Sequence, residues 1–151
     1  MRALRAAVAA ALLLLPLAGC GSGVLVDAYP REEGTDLDCE ALLADAPATL
    51  AGLERRQVAD DVEAAAWGDP PVIVRCGVED PEALEPTSSC EVVDDVGWFS
   101  ETTADGFLFT TIGRRFNVSV EVPAAHQPPA DALVDLAATI ERHDPVEQPC
   151  V

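Results

Sequence analysis

The stretch RFNVSVEVP, residues 115–123, alternates apolar and polar side chains without a break. Phe116, Val118, Val120 and Val122 fall on one side of an extended chain, and Arg115, Asn117, Ser119 and Glu121 on the other. One dry face and one wet face is the pattern of an antiparallel sheet covered on a single side. Whatever else this chain does, it must supply something apolar to lie against that dry face.

Two amphipathic segments are available for that role. Cys39, Leu42, Leu43 and Ala46 share one face of a helix predicted over Leu37–Ala46. Thr35 and Asp38 fit a capping-box spacing at its start, and Pro47 ends it. Leu133, Leu136, Ala137 and Ile140 form the stripe of a second helix, predicted from Pro129 to Arg142 and stopped by Pro145. Val72–Val78 reads as a strand opened by Pro70 and Pro71. One or two short extended pieces precede Trp67, and residues 79–89 form a loop. A meander follows, with turns expected at Asp94-Asp95 and Asp105-Gly106. The expected fold class is therefore α+β, an antiparallel sheet of four to six strands with two helices packed on one face.

The N-terminus carries a different signal. Arg2 and Arg5 precede the apolar run Ala6–Leu15, which Pro16 interrupts short of the roughly 20 apolar residues a spanning helix needs. Leu17-Ala18-Gly19-Cys20 then resembles a bacterial lipobox. There the cysteine thiol receives a lipid bearing acyl chains such as palmitate, and becomes the first mature residue. Parity agrees: setting Cys20 aside leaves Cys39, Cys76, Cys90 and Cys150, an even set for disulfides outside the cytoplasm. The expected organisation is a lipoprotein signal peptide over 1–19, a flexible lipid-anchored tether over 20–34 with a short extended piece at Val24–Ala28, and one domain over 35–151. The expected location is the extracytoplasmic face of the cell membrane, with the N-terminal lipid as the membrane contact.

Charge narrows the partners. The chain has 9 basic and 27 acidic residues and no lysine, for a net charge of −18. Losing Arg2 and Arg5 with the signal makes the mature chain still more negative. No nucleic acid is expected as a partner, because binding it requires basic patches. Electrostatic adhesion to an anionic membrane is excluded on the same ground.

Catalytic chemistry is not legible. There is no C-x-x-C spacing and no paired His and Glu as in zinc sites, and no calcium loop, nucleophile elbow or phosphate-cradling loop. Ser88 and Ser89 have no base nearby in sequence; His126 lies in a Pro-rich loop, and His143 at a helix end suits a dipole partner. No catalytic residue, metal or cofactor is assigned, and the sequence leaves open whether the chain is an enzyme, with a non-catalytic role as the leading reading.

AAWGDPPVIVRCGV, together with VVDDVGWF, DGFLFTTIGR and PADALVDLAATI, resembles the actinobacterial exported proteins grouped as domain-of-unknown-function family 3515, over about Leu37–Ile140. The Trp-Gly-Asp-Pro run before Arg-Cys-Gly is the most specific part. The resemblance implies a cell-envelope protein with an N-terminal signal or membrane anchor. It implies no activity or catalytic residue.

Four cysteines allow three pairings. Cys76 closes one strand and Cys90 opens the next, so Cys76–Cys90 is expected, with Cys39–Cys150 joining the first helix to the tail. Candidate ligand-binding residues are Trp67, Asp69, Arg75 and Trp98. In VIVRCGV, Arg75 points away from the face that carries Cys76. A mid-strand arginine beside an indole wall would hold an anionic or polar group. The leading functional expectation is a non-catalytic binding or scaffold domain that meets an envelope protein or cell-wall ligand. An envelope hydrolase acting on cell wall and an accessory subunit of a membrane complex are the alternatives.

Overall fold

The structure, a computed structural model, describes residues 23–59 and 62–150. Helix α1 (Asp36–Asp45) leads into strands β1 (Thr49–Leu50), β2 (Leu53–Arg56), β3 (Ala64–Trp67) and β4 (Val72–Val78). Strands β5 (Glu91–Val93), β6 (Val96–Thr102), β7 (Gly106–Thr111) and β8 (Asn117–Pro123) follow, and helix α2 (Ala130–His143) comes last. All eight strands lie in one antiparallel sheet in the order β1-β2-β3-β4-β8-β7-β6-β5. The α+β class and the two helices on one face agree with the sequence. The sheet is larger than the four to six strands expected, because β1, β2 and β5 are two to four residues long and too brief to show a period.

Each half of the chain makes its own four-stranded meander, and the last strand, β8, joins them by pairing with β4. Both helices pack on the face that carries Val74, Cys76, Val118, Val120 and Val122. α2 touches β1 and β5 as well as β6 and β8, so the sheet curls around it edge to edge.

Local chemistry explains the helix ends. Thr35 precedes α1 but makes no capping bond; its hydroxyl donates to the carbonyl of Glu32, 3.0 Å away. At the other end α1 has no basic residue in its last turn. Arg55 of β2 supplies one instead, donating to the carbonyls of Leu43 at 2.7 Å and Ala46 at 3.0 Å. Asp45 ties α1 to α2 through Arg142 and His143.

The four cysteines form two disulfides, but not the expected pairs. They are Cys39–Cys76 and Cys90–Cys150, with Cα–Cα distances of 5.5 and 5.8 Å. β8, β7 and β6 separate β4 from β5. Four strand spacings put the two strands about 19 Å apart, beyond the reach of a disulfide from Cys76 to Cys90. Cys39 on the buried face of α1 instead meets Cys76 on the helix-facing side of β4. A register shift between Cys76 and Val78 accommodates the contact. Gly77 sits there at φ +70°, where a Cβ would collide with the Thr35 hydroxyl.

Residues 24–34 are not a free tether. Val24 is buried and pairs with Val58, its N–H donating to the Gln57 carbonyl at 2.8 Å. Arg31 pairs with Val78, and the N–H of Glu32 donates to the Gly77 carbonyl at 2.8 Å. This segment is a strap laid against the sheet. Residues 1–19 and Cys20 lie outside the described residues.

Candidate functional site

The register settles which candidate residues can meet. Trp67 is paired with Val72, and cross-strand partners share a face, so Trp67 points with Val72, Val74 and Cys76 into the core. Its ring is fully buried and its Nε1 donates to the Pro47 carbonyl at 3.0 Å. Trp98 is fully buried as well. Asp69 stands on the β3–β4 turn with its side chain 90% exposed, 4.0 Å from Arg56. Arg75 lies on the other face of the sheet. The expected site is therefore not assembled: the indoles are core, Asp69 is solvated, and Arg75 is alone of the four on the open face.

The Trp-Gly-Asp-Pro run forms the turn of the β3–β4 hairpin. Trp67 anchors it, Gly68 turns at φ +75°, and a Cβ there would press on Leu53.

What surrounds Arg75 is a cleft of about 310 Å³. Two cross-strand rows make its floor. Arg75, Ser119 and Thr110 form one; Leu108 and Glu101, in the cross-strand row of Glu121, form the next. Arg75 reaches diagonally, its Nη1 2.8 Å from Glu121 Oε2. The strap supplies a wall. Tyr29 lays its ring under the Arg75 guanidinium, 5.9 Å from centroid to Cζ. Its hydroxyl lies 2.8 Å from the Glu63 carbonyl and 2.9 Å from that of Cys76. Burial pushes the Tyr29 hydroxyl above its ordinary value, against the pull of Arg31. Arg31 fixes the strap further, bonded to Glu63 and, at 3.0 Å, to Asp36. On the opposite wall Asn117 Nδ2 donates to Asp80 Oδ1 at 2.8 Å.

Arg75 and the Tyr29 hydroxyl are thus already partnered. The carboxylates of Asp27, Glu79, Asp80, Glu82 and Glu101 rim the cleft around the single cation of Arg75, which Glu121 already pairs. Tyr29 escaped the sequence reading because it fell within the assumed tether. Glu121 was visible as a wet-face residue, but nothing in the sequence said that β8 lies beside β4.

A second titratable centre closes the far end of α2. Asp144 follows the helix and is fully buried. Its Oδ1 accepts the N–H groups of Arg115 at 3.1 Å and, more weakly, Phe116 at 3.4 Å. Oδ2 has no partner among the described residues. Arg114 donates to the Asp144 carbonyl. Burial pushes the Asp144 carboxyl up to about 6, against the pull of those N–H groups and Arg114. An acid held above its unfolded value binds its proton more tightly when folded, so stability falls as pH rises from about 4 through 6. The shift corresponds to about 3 kcal/mol. Asp144→Asn should flatten urea stability between pH 4 and pH 7 by that amount relative to wild type. Equal slopes for the two proteins would remove Asp144 as the source.

The other sequence candidates are tied into structure. Ser88 Oγ accepts the Glu85 N–H at 2.9 Å, His126 Nε2 lies 2.7 Å from the Pro70 carbonyl, and His143 faces Asp45 at 3.1 Å. Among the described residues no cluster of His, Cys, Asp and Glu could hold a metal ion, and no helix is long and apolar enough to cross a membrane.

A family model described as protein of unknown function (DUF3515) matches residues 3–149. The chain belongs to the DUF3515 family. No curated protein and no solved structure matches it. For this DUF3515 member, then, functional argument starts from the cleft and the N-terminus.

Proposed function

We propose that this protein is a lipid-anchored domain on the outer face of the cytoplasmic membrane, and that it binds a cationic segment of an envelope partner without transforming it. The observation that carries the binding half is the Tyr29–Arg75 cleft, lined by the apolar side chains of Leu108 and Val78 and with carboxylates around its rim. Apolar walls with a few oriented polar groups suit a ligand site. The charge argues against the anionic ligand suggested by Arg75 alone. Its guanidinium is only partly accessible, paired to Glu121 and stacked on Tyr29. An incoming anion would meet the rim carboxylates first, whereas a cation gains from them. The anchoring half rests on the order of charge, apolar run and lipobox before Cys20.

The test uses the full-length protein in detergent micelles, titrated calorimetrically with pentalysine and pentaglutamate. Pentalysine should bind, and Glu101→Gln should weaken it by about fivefold, the worth of one rim charge. Equal binding of pentaglutamate, or no effect of Glu101→Gln, refutes the cationic reading. Fractionation of wild type and Cys20→Ala, with the mass of the N-terminal peptide, tests the anchor: wild type should be acylated and membrane-bound, and the variant soluble.

A further inference from the structure

The strap changes what a lipid on Cys20 would do. With a tether reaching to residue 34 the domain would swing freely above the membrane. Instead the chain is fastened to the body at Val24, which is buried and bonded through both its N–H and its carbonyl to residues 57–59. Only Gly21, Ser22 and Gly23 separate Cys20 from that point. Four residue steps span at most about 14 Å. A domain of this size has a radius of gyration of about 14 Å. The leash is therefore shorter than the body is wide, and the side that carries the strap must face the bilayer.

The residue next to the fastening point is Leu25. It is 77% exposed, the most exposed of the large apolar side chains among the described residues. Val24 turns inward and Leu25 outward, away from the sheet. Ala28 and Pro30, further along the strap, are exposed where they border the cleft, and Asp27 is the one charge between Leu25 and Pro30. A single exposed leucine on a free protein binds nothing and needs no explanation. Held within about 18 Å of an acylated cysteine, it is at the bilayer surface at high effective concentration, and the acyl chains supply the affinity.

We infer that Leu25 and the outer side of the strap form a membrane-contact surface, with Leu25 inserted at the headgroup boundary and the Tyr29–Arg75 cleft held close above it. This rests on the lipid-anchor reading of Cys20. The contact is with uncharged lipid: Asp27 and the acidic cleft rim disfavour close approach to anionic headgroups.

The test places a tryptophan at Leu25. The two native indoles are fully buried and give the same background in every variant. Leu25→Trp and a control, Val134→Trp, are made in the full-length lipidated protein. Val134 is 46% exposed on α2, on the opposite side of the sheet from Tyr29. Each is reconstituted into phosphatidylcholine vesicles with and without brominated acyl chains. Flotation with the vesicles and acyl mass on Cys20 report the anchor separately. Leu25→Trp should lose several-fold more emission to the brominated lipid than Val134→Trp, and its emission should shift to shorter wavelength on vesicle binding. Flotation with equal quenching of the two variants overturns the contact surface and leaves the anchor standing. Absence of acyl mass and of flotation overturns the anchor and the contact surface with it.

Discussion

Replacing Cys39 and Cys76 together by alanine is expected to lower the unfolding free energy by about 4 kcal/mol. The bridge closes a loop with a sequence separation of 37 residues, and both cysteines are fully buried. Removing it frees the unfolded chain and also takes sulfur out of the contact between α1 and β4. A loss of that size is a large fraction of what a domain this small has to spare. Urea unfolding under non-reducing conditions measures it. A loss below about 1 kcal/mol would mean that α1 docks on β4 with little help from the bridge. Non-reducing peptide mapping checks the premise by recovering Cys39 linked to Cys76.

The tryptophans are the second large effect. Alanine at either position should cost about 3–5 kcal/mol, because each ring is fully enclosed. Phenylalanine separates them. Trp67 donates its N–H to the Pro47 carbonyl, so Trp67→Phe leaves a carbonyl that has lost its donor. Trp98 has no partner for Nε1 among the described residues, and Trp98→Phe removes a buried unpaired donor. Trp67→Phe should therefore be the more destabilising by about 1–3 kcal/mol. Equal losses in urea would show that the Pro47 bond contributes nothing. Neither change should alter cleft binding while the protein remains folded, since both rings lie on the helix side of the sheet.

Those rings mark the boundary of what the sequence discloses. Elements with a sustained period were legible: β8 from its alternation, β4 from its β-branched run, α2 from its stripe, and the inward set of Cys39, Leu42, Leu43 and Ala46 on α1. Asp94 and Asp95 do turn, at φ +44° and +65°. Relations between distant segments were not legible. That Arg75 opposes Cys76 follows from parity within one strand. That Trp67 lies on the Cys76 side follows from pairing with Val72, a fact about two strands and their register. The disulfide pairing is hidden for the same reason: β4 and β5 are consecutive in the chain, yet three strands stand between them in the sheet. The strap was hidden because VLVDAYPREEG has the composition of a linker. The carbonyls of Glu63 and Cys76 and the guanidinium of Arg75, all distant in sequence, are what hold its tyrosine in place.

The position of β8 has a consequence for how the molecule is put together in time. β4, the last strand of the first meander, finds its second neighbour only when residues 117–123 arrive. Until then Val72–Val78 stands as an open, apolar edge, the kind that invites pairing with other chains. A chain delivered N-terminus first brings Cys39 and Cys76 out together, and their bridge can close on the first meander alone. Cys150 comes at the end, so Cys90 must wait for the whole domain. The many long-range pairings place such a fold among slow closers. The early bridge is thus suited to hold a half-built sheet in register while its central seam is still missing.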